Sequence, residues 1–148
     1  MKILTNANMF NNGEGFYLIP VNCVGVMGCG LARYCKIRWP HIFTQYVKDC
    51  RSGKLKLGTY SLYQVTEGTG VILIPTKDHW RNPSELEWIK DSLTTLNAAT
   101  LSWTSKKILH VPALGCGRGG LPESRVMSII DETLTSDAIT VLYYKQYQ

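Results

Sequence analysis

The segment Phe16-Tyr17-Leu18-Ile19-Pro20-Val21-Asn22-Cys23-Val24-Gly25-Val26-Met27-Gly28-Cys29-Gly30-Leu31-Ala32 decides the fold. It runs from an apolar stretch, Phe16–Val21, through a glycine-rich turn into a helical pattern at Leu31. Apolar stretches bounded by turn residues read as strands, and the same reading covers Lys2–Leu4, Thr59–Val65, Val71–Thr76, Ile108–Pro112 and Ile139–Tyr144. Helical patterns lie between them. In Asn82-Pro83-Ser84-Glu85, Asn82 can cap a helix, Pro83 suits its first position and Glu85 completes a capping box. Leu86, Ile89, Leu93 and Leu96 then recur at spacings of three and four, one apolar stripe for a sheet. Another helix is predicted from Pro122, with Val126, Ile130 and Leu134 on one face. Residues 31–50 read as one or two helices, interrupted where Pro40 disfavours helical geometry at Trp39. Strands alternating with helices predict a three-layer α/β domain with a largely parallel sheet. In such sheets ligands bind beyond the carboxyl ends of the strands, so the segments after Val21, Thr76 and Pro112 are where a site is expected.

Composition sets the outer limits. The chain has 148 residues, the length of one ordinary domain, and no linker, repeat or low-complexity run divides it. With 45% apolar and 18% charged residues it is too apolar for a disordered chain, and its 13 glycines and 6 prolines lack a fibrous period. Runs such as Val71-Ile72-Leu73-Ile74 are far shorter than a membrane span, so no membrane partner is expected. Met1-Lys2-Ile3-Leu4-Thr5-Asn6 turns polar at once, unlike a secretory signal, which predicts a cytoplasmic protein. Five cysteines, with no CxxC or Cys/His spacing, suggest neither a disulfide framework nor a zinc site, and no metal or cofactor is expected. The net charge is +5, and it is concentrated. Residues 31–56 carry Arg33, Lys36, Arg38, Lys48, Arg51, Lys54 and Lys56 against Asp49 alone. Such a patch draws phosphate-bearing partners, DNA among them; the other reading is a solvated helix face. Nothing in the composition reports the oligomeric state.

Three segments can carry chemistry. The turn after the second strand has the spacing GxxGxG at Gly25, Gly28 and Gly30, neither the GxGxxG of a dinucleotide fold nor a P-loop. Glycines there let the backbone approach a ligand, and the N–H groups of a helix start favour an anion such as pyrophosphate. After the fifth strand, Ala113-Leu114-Gly115-Cys116-Gly117-Arg118-Gly119-Gly120-Leu121 places four glycines within six residues, which points to close backbone approach. Two such loops on one sheet edge suit a diphosphate. Thr76-Lys77-Asp78-His79-Trp80-Arg81 follows the fourth strand. A lysine at a strand's carboxyl end can project into the cleft as a nucleophilic amine, or it can be an ordinary surface residue. His79 reads as a rim or structural histidine, and Trp80 as a stacking wall or a core residue. Cys29 and Cys116 invite a nucleophile reading but have no clear histidine partner, so they read as small loop residues.

Taken in order, Val21–Ala32, Pro75–Trp80 and Pro112–Leu121 resemble a macro domain, and the resemblance spans nearly the whole chain. Within that family they most resemble the lysine-dependent ADP-ribosyl glycohydrolases. That group includes antitoxins that remove ADP-ribose from thymidine in DNA and the terminal ADP-ribose protein glycohydrolases. The resemblance implies one macro domain over residues 1–148, with a mixed, roughly six-stranded sheet between helices and ADP-ribose across the strand ends. Lys77 matches the catalytic lysine and Asn22 a position beside the distal ribose. Gly28, Cys29, Gly30, Leu31 and Ala32, with Ala113, Leu114, Gly115, Cys116, Gly117, Arg118 and Gly119, match the two loops around the diphosphate and distal ribose. Asn8 and Met9 match a segment that recognises adenine, usually Gly-Asp-Ile/Leu; the Asn8 amide oxygen can still accept from an adenine amino group. Tyr144 is expected beside the adenine, although Leu142 stands where relatives often have an aromatic residue. Protein-directed members carry an aspartate at the position of Gly119, whereas the DNA-directed antitoxins have glycine.

The resemblance implies an ADP-ribosyl glycohydrolase acting on a modified macromolecule, with a nucleobase in DNA as the leading substrate. Lys77 would attack the anomeric carbon or assist departure of the base electrostatically. The alternatives are a phosphatase for ADP-ribose 1″-phosphate, a non-catalytic ADP-ribose-binding module, and a nucleic-acid binder without an ADP-ribose site.

Overall fold

The structure, a computed structural model, describes residues 1–146. Among them, six strands form one mixed sheet: β1 (Lys2–Leu4), β2 (Gly15–Asn22), β3 (Ser61–Thr66), β4 (Thr69–Lys77), β5 (Lys107–Pro112) and β6 (Ile139–Tyr144). Their order across the sheet is β1-β6-β5-β2-β4-β3. Every neighbouring pair is parallel except β3 with β4, which form an antiparallel pair at one edge. Four helices complete the chain: α1 (Gly30–Arg38), α2 (Pro40–Ser52), α3 (Leu86–Thr100) and α4 (Glu123–Thr133).

Side-chain alternation along the central strands sorts the core into two layers. Phe16 and Leu18 of β2 and Ile72 and Ile74 of β4 pack with Ile89, Leu93 and Leu96 of α3 and Val126 and Ile130 of α4. On the other face, Tyr17, Ile19 and Val21 of β2 and Val71 and Leu73 of β4 meet Cys35 of α1, and Ile42 and Tyr46 of α2. Val71 to Ile74 are all fully buried because helices cover both faces, which is why that run shows no polar alternation. The expected three-layer α/β/α order is what these layers make.

Two local expectations are corrected. The third helix begins at Leu86, with Glu85 extended before it, and not at an Asn82 cap. The Asn82 side chain instead donates to Asp78 Oδ1 (3.1 Å), and Ser84 N donates to the Gly119 carbonyl (3.0 Å). Residues 78–85 are thus drawn into a loop bridging the ends of β4 and β5. Pro122 stands immediately before α4 rather than within it. A short 3₁₀ turn, Met9–Asn11, also went unread in the sequence, although Asn8 caps it by accepting from Phe10 N (2.9 Å).

One buried polar group sits mid-sheet. His110 of β5 is fully buried and stacks on Tyr17 at 5.0 Å. Its Nε2 faces the Glu14 carbonyl at 3.1 Å, and a carbonyl only accepts, so Nε2 carries the proton. Nδ1 then accepts from the Tyr144 hydroxyl at 2.7 Å. Burial holds the His110 pKa below its ordinary 6.5. The unfolded chain therefore binds a proton that the folded one refuses, and stability falls as pH drops from about 6.5 towards the folded pKa. In urea unfolding across that window, His110→Gln is expected to show a shallower pH dependence than wild type; equal slopes would remove His110 from the account.

Candidate functional site

The five parallel strands bring their carboxyl ends to one edge. Leu4 pairs with Tyr144, Tyr144 with Pro112, and Asn22 with Lys77. Every segment expected to bind follows one of those ends. The Asn22–Lys77 pairing depends on an irregularity: Val21 opposes Pro75, but the next residue, Asn22, opposes Lys77 and skips Thr76. Bulges of this kind re-aim a side chain beside a site. Here the bulge lies past Leu73, the last β4 residue paired with β3 (to Ser61), so Pro75 interrupts no pairing on that side.

Asn22 organises the first loop. Its carboxamide oxygen accepts from Val24 N (3.0 Å) and Val26 N (3.3 Å), while Nδ2 donates to the Val26 carbonyl (2.8 Å). The Tyr46 hydroxyl, fully buried on α2, reaches both the Asn22 carbonyl and its side-chain oxygen at 2.8 Å. The polar atoms of the Asn22 side chain are thus engaged in shaping this loop. Beyond it Gly28, Cys29 and Gly30 are exposed, and Leu31 and Ala32 half-buried. No side chain caps α1 and its first turn holds no acidic residue, so the N–H groups at its start keep the positive end of the helix dipole uncompensated by side chains.

Lys77 ends β4 with its side chain half-buried and Nζ donating to the Trp80 carbonyl (3.3 Å). The following residue couples this strand to the first loop, because Cys23 N donates to the Asp78 carbonyl (3.3 Å). Asp78 Oδ1 accepts from Asn82 Nδ2 and from His79 N (2.7 Å), and these bonds lower its pKa. Asp78 is thus committed as an ionised turn-former.

The second loop divides its glycines between two purposes. Gly115 has φ +74° and lies against Leu121, Ser84 and Ile89. A Cβ on Gly119 would collide with the Ser84 hydroxyl and the Gly115 carbonyl. Both are demanded by packing. Gly117, by contrast, would meet nothing within 4 Å, and Gly28 only Val26 at 3.7 Å. Packing within the fold gives no reason for those two to lack a side chain. Ala113 and Cys116 are half-buried and Arg118 is exposed. Burial, with the Glu123 carboxylate adding to it, pushes the Cys116 thiol up to about 11, and burial likewise takes Cys23 to about 11. Neither is a thiolate at neutral pH.

Other expected site residues turn inward. Leu114 is fully buried in the α3–α4 layer, and Met9 lies in the α1–α2 layer at 5% exposure. Tyr144 is 5% exposed with its hydroxyl on His110, which makes it floor rather than open wall. Asn8 is exposed and its side-chain oxygen already accepts from Phe10 N, keeping one lone pair free. Two supporting residues were not read from the sequence. Tyr46 anchors Asn22, and its only signal was the helical spacing from Ile42. Ser84 binds the second loop through its backbone while its buried hydroxyl has no partner.

Comparison with known proteins bears on the family and the fold. The sequence model described as Macro domain matches residues 19–130. A Mycobacterium tuberculosis protein named DNA ADP-ribosyl glycohydrolase is 37% identical over 126 residues, covering 80% of this chain and 36% of that protein. The chain thus spans about a third of the length of the curated relatives it matches. Among solved structures, Thermosipho africanus DarTG in complex with ADP-ribose superposes with a TM-score of 0.87 at 30% identity, over 98% of this chain and 42% of that one. The macrodomain of Mycobacterium tuberculosis DarG gives 0.82 at 29% identity, over 98% of both chains.

The two kinds of glycine separate in a stability measurement. Gly119→Ala, which forces the backbone apart, is expected to lose about 1–3 kcal/mol in denaturant unfolding. Gly117→Ala should stay within about 0.5 kcal/mol of wild type.

Proposed function

Because this chain belongs to the macro domain family, we propose that it is an ADP-ribosyl glycohydrolase that removes ADP-ribose from a nucleobase in DNA. The observation that carries this reading is Lys77, set opposite Asn22 at the carboxyl edge between two backbone-lined loops. The relatives' name, DNA ADP-ribosyl glycohydrolase, and the ADP-ribose in the Thermosipho africanus structure support it.

In this reading the diphosphate lies against the start of α1 and the bare backbone at Gly28 and Gly117, and the distal ribose reaches the Asn22–Lys77 pair. Adenine lies by Asn8, over the floor made by Tyr144. Burying the diphosphate fixes the ribose so that its anomeric carbon meets Nζ without a further orientational cost. An ammonium at that point offsets the negative charge that builds on the departing base, and a neutral amine attacks the anomeric carbon directly. Either way, water finally adds its oxygen to that carbon and its proton goes to the base nitrogen. The obstructed Cβ at Gly119 bars a carboxylate side chain from the second loop without a backbone shift, in keeping with the DNA-directed branch.

The basic segment supplies the macromolecular side of the proposal. All seven of its Lys and Arg residues are exposed, and Lys36 and Arg38 lie over Phe43 and Trp39 at 4.4 and 5.6 Å. They meet the phosphate backbone of the DNA that carries the modified base. Five unpaired cysteines support a reducing, cytoplasmic setting.

Incubation with DNA bearing ADP-ribosyl thymidine, and separately with ADP-ribose 1″-phosphate, tests the reaction. Wild type is expected to restore the base, and Lys77→Ala to lose about 100-fold or more in rate while still binding ADP-ribose. Phosphate release alone would make the protein a phosphatase, and binding without turnover a reader. For the basic segment, Lys48→Gln with Arg51→Gln should reduce the slope of log affinity against log salt by about 0.7 per lost contact with single-stranded DNA. An unchanged slope assigns those residues to solvent.

A further inference from the structure

The loop that carries Lys77 also presents an aromatic ring that the reaction above does not use. Trp80 is 47% exposed, although an indole is one of the most costly side chains to leave in water. The Arg81 guanidinium lies over it, 4.7 Å from the ring centroid, and the His79 ring is 5.3 Å away. The loop holding these groups is tied down at several points: Asp78 to Asn82 and His79, Arg81 N to His79 Nδ1 (3.1 Å), and Asn82 N to the His79 carbonyl (3.1 Å). The indole is therefore displayed in a set position. The Trp80 backbone carbonyl accepts from Lys77 Nζ, so the residue that carries the ring is tied to the lysine of the proposed reaction. The Cys23–Asp78 bond brings the first loop alongside, and there Val24 and Val26 are 45% and 41% exposed.

We propose that Trp80 and Arg81 form a subsite for the nucleotide next to the modified one, with its base stacked on the indole and its phosphate held by the guanidinium. The inference rests on the glycohydrolase reading above. An aromatic plane accepts any base, because every base has a π-face. An arginine stacked on a ring keeps its in-plane N–H donors free for phosphate oxygens, a combination that an apolar peptide would leave unused. Stacking on protein requires a base already free of its duplex neighbours, so the subsite fits a single strand.

Two substrates test it: a single-stranded oligonucleotide with one internal ADP-ribosyl thymidine, and ADP-ribosyl thymidine as the free mononucleotide. Trp80→Ala is expected to lower kcat/KM about tenfold on the oligonucleotide, chiefly through KM, with the mononucleotide rate and ADP-ribose affinity unchanged. Trp80→Phe should restore most of the loss, and Arg81→Gln should weaken the salt dependence on the oligonucleotide alone. Equal losses on both substrates would overturn the subsite, placing Trp80 against the ADP-ribose or the modified base. No loss on either would also overturn it. If wild type cleaves neither substrate, the glycohydrolase reading fails, and binding of an unmodified single-stranded oligonucleotide then decides the subsite. A tenfold weakening in Trp80→Ala supports stacking, and an affinity independent of Trp80 overturns it and gives the rim to a protein partner.

Discussion

The pairing of β2 with β4 is the constraint on which the rest of the molecule depends. These two strands run parallel over nearly their whole lengths, from Gly15 opposite Thr69 to Asn22 opposite Lys77. Parallel strands cannot be joined by a tight turn, and the connection here is long: α1 and α2 cover one face of the sheet, and β3 then runs back antiparallel beside β4. With helices on that face and α3 and α4 on the other, the central strands are buried on both sides and must be apolar throughout. The common direction of β1, β6, β5, β2 and β4 then sends every loop that follows them to the same edge. The site is thus a consequence of topology before it is a matter of individual side chains.

Much of this was legible in the residues. Val71-Ile72-Leu73-Ile74 announced a strand buried on both faces, and Leu86, Ile89, Leu93 and Leu96 a helix laid against it. The glycine loops signalled open backbone at Gly28 and Gly117, but not that Gly115 and Gly119 are glycines for packing. What the sequence hid were effects of one residue or one contact. The bulge that sets Asn22 against Lys77 is a slip in register, and nothing in a one-dimensional pattern marks it. Asn82-Pro83-Ser84-Glu85 has the local chemistry of a helix start, but the Gly119 carbonyl takes Ser84 N and Asp78 takes the Asn82 side chain, so tertiary partners override the local signal. Tyr144 and Leu114 lie in the expected segments, yet strand alternation and core packing turn their side chains away from solvent. Trp80 could be read as core or wall, and only its exposure distinguishes the two.

The chemistry of the edge is uneven. Cys23 and Cys116 are held as neutral thiols by burial, and Asp78 is occupied by its own turn. Backbone N–H groups at the start of α1 and the Lys77 amine are the donors on which the proposed reaction draws. Gly119 and Ser84 are locked together by a backbone bond and a close approach, so the wall of the second loop is set by packing with α3 as much as by its glycine content.

The Asn22 clamp has a consequence for the cost of binding. Its carboxamide fills Val24 N, Val26 N and the Val26 carbonyl, and Tyr46 pins it from below, so a loop that lies in solvent is hydrogen-bonded much as a strand is. Such a loop has little conformational freedom to give up when a ligand arrives. A ligand that fits this loop has a smaller ordering cost to offset. The first loop therefore meets a ligand in a shape that folding has already set.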